Sequence, residues 1–384
     1  MSLYFVFLGL NDAYLERKLV KFEHMKLVFA FIPFFFSSLS FGQGVIPVKN
    51  FNNFFLSFNN GFFNQIEVQA INGYKAGDEF VAYIDNRGNL RLYDGKVRKD
   101  ITNLNVDYKV SDHLMGYKIG PTLNMWDAGR LQTLTYFGRD FLVMDSLIVY
   151  EDTRFNTVNV YWNKTTTTLA TVMGDLSLPA TVGENMLVFK DNGNLYKIFW
   201  QGLIFEIGSW TGNPIDFQIG TDILCFNDPT TRTFVAFQNG QFIDIESQYM
   251  RKYKSGRGFI AYEDLNGNLW MYKNGETRQL SNFSPSFWDV KDDIIMWAEN
   301  SYLFAYSNNK KIEVANFMPS DYLIKNNILA YRNIMGGVSA LVDGKSEEIT
   351  NILKAEYEIY GNSVLVKLFN QTNIVLQKGQ LYSN

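Results

Sequence analysis

One six-residue phrase returns nine times along this chain, and it limits the fold more than anything else in the sequence. The copies are FVAYID from Phe80, LMGYKI from Leu114, LIVYED from Leu147, MLVFKD from Met186, ILCFND from Ile223, FIAYED from Phe259, IIMWAE from Ile294, ILAYRN from Ile328 and VLVKLF from Val364. The fourth position is aromatic in every copy except the last: Tyr83, Tyr117, Tyr150, Phe189, Phe226, Tyr262, Trp297 and Tyr331, with Lys367 as the exception. Short apolar runs bounded by turn residues read as strands buried on both faces, and no helical period is sustained anywhere. A spacing of about 35 residues between copies marks a repeat array rather than two unrelated domains.

Each copy is followed by a polar turn and a second strand, such as NLRLYDG from Asn89, TLNMWDAG from Thr122, NLYKIFWQG from Asn194, TFVAFQNG from Thr233, NLWMYKNG from Asn268 and GVSALVDG from Gly337. Most end in glycine, often as Asn-Gly or Asp-Gly, the pairs that supply the positive φ of a tight hairpin. A third strand follows, as in RLQTLTYF after Gly129, and a fourth precedes the next copy, as in IDFQIG from Ile215 and SFWDVK from Ser286. Four-stranded antiparallel units at this period predict an all-β fold, a single β-propeller over residues 46–384. One such sheet cannot bury both its faces; stacking around an axis does, and the aromatic at the fourth position is expected between blades. Nine copies predict eight or nine blades. Asn53 to Glu67, NFFLSFNNGFFNQIE, looks like the second and third strands of a copy with no first half, so the ring is expected to close by pairing of these amino-terminal strands with the last blade.

Ser286 to Asn316, SFWDVKDDIIMWAENSYLFAYSNNKKIEVAN, resembles a TolB-type or WD40-like propeller repeat, with Ser284-Pro285-Ser286-Phe287-Trp288 as a trace of that family's turn phrase. The pattern extends over most of Phe51 to Asn384 and is similar to that of secreted propeller proteins of Gram-negative bacteria. The resemblance implies a fold and an address, not an activity.

The amino terminus carries its own signal. Met25-Lys26 precedes LVFAFIPFFF and then SSLSFGQ, a positive start, a short apolar run and small residues at Ser40 and Gly42. This layout predicts a signal peptide over residues 25–42, cleaved between Gly42 and Gln43, with 1–24 an upstream extension and Met25 the true start. The run is short and broken by Pro33, so no membrane span is expected after cleavage. The single cysteine, Cys225, forms no internal disulfide and reads as a small core residue.

Composition removes several chemistries. A formal net charge of −4 without a basic stripe argues against nucleic acid. Of two histidines, His24 precedes the signal and leaves His113 alone, which reads as a surface turn residue rather than a member of a Ser-His-Asp triad. Cys/His zinc sites are excluded by count, and no glycine-rich phosphate loop follows a strand. Glu263 to Asn268 superficially resembles a calcium loop, but the place of its bidentate glutamate is Gly275. Asp85-Asn86-Arg87-Gly88-Asn89 and Asp191-Asn192-Gly193-Asn194 hold the same place in other copies, so the motif reads as hairpin chemistry and no metal or cofactor is expected.

A propeller usually works at one mouth of its central channel. The inner strands carry Asp107, Asp140, Asp216, Arg251, Lys252, Asp289, Asp321 and Glu358, the candidate ligand-binding residues of such a funnel. Trp162, Trp200, Trp210, Trp270 and Trp288 are aromatic candidates for a protein or a sugar. The expected protein is an exported, monomeric, non-enzymatic propeller, periplasmic, outer-membrane-associated or secreted, that binds a protein or glycan in the cell envelope or outside the cell. The alternatives are a carbohydrate-active hydrolase or lyase using carboxylates at the funnel, and a structural subunit of an envelope assembly.

Overall fold

The computed structural model describes residues 44–104, 106–171, 178–179 and 181–384. The segments assigned above to the extension and the signal peptide lie outside them. The described strands form ten sheets, not eight or nine. Blade one spans residues 46–67, and the others follow at 73–102, 108–135, 138–171, 181–209, 218–246, 253–279, 287–315, 322–350 and 356–383. Blades two to ten each hold four antiparallel strands, inner to outer in chain order, except that the outermost strand of one blade always leads by an interblade loop to the innermost of the next.

The nine repeated phrases are the second strands of blades two to ten. They are buried on both faces; Leu147–Asp152 is buried at every position. The outer strands are solvated, and Glu276–Gln279 is exposed throughout. Between these extremes the apolar surface is shared by neighbours. Each aromatic at the fourth position packs into a cluster built with the preceding blade, as Tyr117 does with Leu90 and Leu92, Phe226 with Ile198 and Trp200, and Trp297 with Leu269 and Met271. Several tyrosines add a hydrogen bond across the seam: Tyr83 Oη donates to Glu67 at 2.9 Å and Tyr262 Oη to Glu246 at 2.7 Å. Cys225 is fully buried beside Ser255.

The blade that the nine repeats leave uncounted, blade one, comes from the amino-terminal strands. Ile46–Lys49, Phe55–Asn59 and Phe62–Glu67 form a three-stranded sheet of their own, with no inner strand among the described residues. Ile46 was illegible as a second strand because Pro47 interrupts the run and no inner strand announces it. These strands do not pair with the last blade as expected. The ring closes by side-chain burial: Ile46, Val48 and Phe58 pack on Leu365 and Val375 of blade ten, while Val45 and Phe55 pack on Val81 and Tyr83 of blade two. In blade ten the place of the fourth-position aromatic is held by Val366, packed with Ile328 and Ala330 of blade nine. Lys367, one residue on, turns to the other seam, where its ammonium pairs with Glu358 at 2.9 Å and reaches Tyr74 Oη on the inner strand of blade two at 3.2 Å.

Candidate functional site

Strand alternation fixes two faces. The turns from inner to second strand and from third to outer strand share one face; the turns from second to third strand and the interblade loops share the other. The two faces have opposite chemistry.

On the first face, the turns that end the inner strands meet around the axis. Backbone and side-chain bonds stitch successive turns together: Val45 N to Asp78 O at 3.3 Å, Glu79 N to Asp112 O at 3.2 Å, Ser146 N to Glu184 O at 3.0 Å, Arg257 N to Asp292 O at 2.6 Å and Asp293 N to Asn326 O at 3.2 Å. Glycines at the ends of the inner strands permit this closeness. A Cβ on Gly220 would fall 1.9 Å from the Gly256 carbonyl oxygen, and one on Gly77 would fall 2.0 Å from that of Ser111.

Charged side chains then cross the mouth. Lys325 of blade nine reaches Asp78 of blade two and Asp112 of blade three, each at 2.6 Å. Asn326 Nδ2 and the Gly361 N–H also donate to Asp78, at 3.0 and 2.8 Å. Arg257 of blade seven pairs with Asp293 at 2.7 Å, donates to Asn326 Oδ1 at 3.2 Å and lies 3.7 Å from Glu184. His113 Nδ1 stands 2.9 Å from Glu79, so this residue belongs to the charged mouth, while Ser111 Oγ is engaged with the Leu114 main chain.

Carboxylates outnumber cations here, and their proton affinities separate accordingly. Burial works to raise Asp78, but Lys325 outweighs it and holds the group below the usual carboxylate value. Asp112 shares the same ammonium and is pushed the other way, by burial and by the Asp78 charge. Burial, with Asp112 adding to it, raises Asp145 to about 6. Burial and the Glu184 charge raise Asp292 to about 7. The Glu79 hydrogen bond raises His113. The mouth is a charge network held by two cations, with protons to gain near neutrality.

The sequence-derived candidates lie elsewhere. Asp107, Asp216, Arg251, Lys252 and Asp321 precede inner strands and stand at the opposite face; Asp140, Asp289 and Glu358 lie within inner strands. Each carboxylate with a side-chain partner is held separately: Asp140 by Lys109 at 3.4 Å, Asp216 by Gln218 at 2.8 Å, and Asp289 by Lys254 at 2.6 Å and Tyr322 at 2.7 Å. Asp321 is held by Tyr357 at 2.5 Å and Arg332 at 3.3 Å, and Glu358 by Lys367. Lys252 pairs with Glu263 at 3.1 Å. No two of the eight are hydrogen-bonded to each other among the described contacts.

The tryptophans are mostly packing residues: Trp200 and Trp288 are buried, and Trp270 Nε1 donates to Asp264 at 3.1 Å. Fifteen exposed large apolar residues that sequence reasoning missed sit on the second face; others, such as Phe62, Leu203 and Leu381, lie on outer strands. Turns carry Phe51, Phe155, Leu265, Ile334, Met335 and Phe369; interblade loops carry Val68, Leu104, Tyr136, Phe137, Tyr249, Phe283, Met318, Ile352 and Leu353. Phe369 is 87% exposed and Ile334 74%. The aspartates of these turns face inward. Asp264 Oδ1 accepts from the Asn266 and Asn268 N–H groups, both at 2.8 Å, and Oδ2 from Asn268 Nδ2 at 2.9 Å. Asp85, Asp152, Asp191 and Asp228 cap their own turns in the same way. This is the hairpin chemistry read from the sequence.

Ten radial sheets around a charge-bridged axis define a ten-bladed propeller. Residues 40–382 match the family described as the 10-bladed beta propeller domain, and the chain belongs to that family. Among solved structures, the computationally designed Ika8 protein is 12% identical with a TM-score of 0.31, over 87% of this chain and 99% of that one. Hsv2p of Kluyveromyces lactis is 12% identical with a TM-score of 0.27, over 62% and 92%. The WD40 propeller domain of Doa1 is 10% identical with a TM-score of 0.25, over 63% and 93%. No curated protein matches the chain.

Proposed function

We propose that this chain is an exported, non-enzymatic binding ring that docks a protein partner on its apolar loop face. One observation carries the reading: fifteen large apolar residues on turns and interblade loops are exposed on one face, while the aspartates between them turn inward. Aromatic, methionine and leucine tips over a rigid scaffold make a preformed contact surface, which binds with little ordering cost. Scattered apolar residues are ordinary on any surface; their concentration on one face is not. The basic residues of these loops, such as Arg87, Arg154 and Lys354, are dispersed, which suits a protein better than an anionic membrane. The export part rests on Met25-Lys26, the LVFAFIPFFF run and the TolB-type resemblance. The eight residues named from the sequence are not hydrogen-bonded to one another among the described contacts, which leaves the enzyme alternative without its expected carboxylate pair.

The test compares the wild-type chain with a Phe155→Ser/Phe283→Ser/Phe369→Ser variant in cross-linking mass spectrometry on envelope fractions. A stoichiometric partner, cross-linked to loops of this face and lost in a variant of unchanged melting temperature, supports the reading. A partner that survives the triple change, or cross-links that map to the charged face, sinks it.

A further inference from the structure

A cavity of about 340 Å³ opens on the seam between blades seven and eight, at the charged face. Its apolar floor is Phe259 and Met271, both buried. Its rim is polar and comes from several blades: Arg257 and Asp293 from the axial turns, Asn327 from the turn of blade nine, and Asn308-Asn309 from the outer hairpin of blade eight. Lys273, at the end of the third strand of blade seven, faces that hairpin.

The hairpin departs from the turn that most of its sisters use. Seven outer hairpins place glycine second in the turn with both central residues at positive φ: Asn60-Gly61, Ala128-Gly129, Gln201-Gly202, Asn239-Gly240, Asn274-Gly275, Asp343-Gly344 and Lys378-Gly379. Blade eight instead holds Asn309 at φ 60° after Asn308 at φ 51°, and blade four likewise holds Lys164 at φ 67° after Asn163 at φ 45°. Asparagine, with its short polar side chain, adopts this conformation more readily than most residues. Here it delivers an amide to the cavity rim, where Asn309 Oδ1 accepts from Lys273 Nζ at 3.3 Å.

The lining selects a ligand class. Arg257 is committed to Asp293 and Asn326, and Tyr306 Oη accepts from Arg278 at 3.2 Å. Lys273 has no carboxylate partner among the described residues. One unpaired ammonium fits a single negative charge. The Asn308, Asn309 and Asn327 amides, donors and acceptors together, fit hydroxyl groups. The Phe259–Met271 floor fits the C–H face of a ring, and the volume suits a small ligand. We propose that this cavity binds a sugar acid, a hexuronate-type monosaccharide unit, with its carboxylate on Lys273 and its hydroxyls on the asparagine amides. The site is independent of the protein-docking face and lies on the other side of the ring.

The test is isothermal titration of the full chain with glucuronate, galacturonate and, as the uncharged comparison, glucose at millimolar concentrations. At least one uronate is expected to bind, and glucose to bind at least tenfold more weakly. Lys273→Gln is expected to weaken the uronate about tenfold or more, the loss of one charge-assisted contact. Asn309→Gly, a change the sister hairpins already accept, is expected to keep or raise the melting temperature while weakening the uronate. Silence from both uronates, equal binding of glucose, or undiminished affinity in both folded variants overturns the proposal.

Discussion

Lys325 and Asp112 belong to blades nine and three, yet Nζ lies 2.6 Å from the carboxylate, with Asp78 of blade two equally close on its other side. One ammonium thus ties three blades across the closing seam. Lys325→Met leaves two half-buried carboxylates facing each other. The expected loss is about 3 kcal/mol at neutral pH, because the partners remain buried and unpaired. Urea denaturation would measure it; an unchanged midpoint would show that the bridge contributes nothing.

Asp145 and Asp292, raised to about 6 and about 7, make the charged mouth a proton acceptor. A carboxyl whose folded value exceeds its unfolded one holds a proton in the folded state that the unfolded chain has released, so stability falls as pH rises through the folded value. Between about pH 5 and about pH 7.5 the protein should therefore lose on the order of 1 kcal/mol or more as pH rises. Thermal melts across that window check this, and Asp292→Asn should flatten the slope. Acid acts in the opposite sense at Asp85, lowered to about 2 against burial by its Arg91 and Asn89 hydrogen bonds. That stability is present above the unfolded value near 4 and is lost below it.

Gly220→Ala should be among the most damaging small changes on the inner wall. Its new methyl would meet the Gly256 carbonyl oxygen at 1.9 Å, and both atoms belong to backbone fixed by neighbouring blades. A cost of at least about 2 kcal/mol is expected. Gly275→Ala is the comparison: its methyl meets nothing within 4 Å, so only the φ of +85° resists it, at about 1 kcal/mol. Equal melting temperatures for the two variants would refute the close-approach account.

Asp264→Ala removes the acceptor for two N–H groups and the Asn268 amide. A loss of about 1–2 kcal/mol follows from stranding those donors. Added calcium should leave the wild-type melting temperature where it is. A calcium-dependent rise abolished by Asp264→Ala would turn the hairpin into an ion site.

The blade wall was legible because burial on both faces imposes an uninterrupted apolar run, and the fourth-position aromatics from Tyr83 to Tyr331 repeat it. The hairpins were legible because positive φ favours Asn, Asp or Gly, and most of the turns carry one. Blade one was legible in part: Asn53 to Glu67 showed its outer hairpin, while Ile46–Lys49 escaped because Pro47 breaks the run and no inner strand among the described residues precedes it. The charged mouth escaped for a different reason. Asp78 and Lys325 lie 247 residues apart, and only the closure of the ring makes them neighbours. The apolar face escaped because Phe283 or Phe369 in a loop reads, in one dimension, like any other loop residue. Fixing the direction of each strand decides which loops share a side.

Among the described residues ten blades surround nine inner strands, and that mismatch gives the ring a zero mark. A uniform wheel presents equivalent seams to anything that approaches it. This one has a single angular position where Tyr74, Lys367 and Glu358 stand in place of a strand. A partner that recognised this notch would be held at one rotation, and the same notch, secured by side chains and not by a shared sheet, is where a split washer under load would spring first.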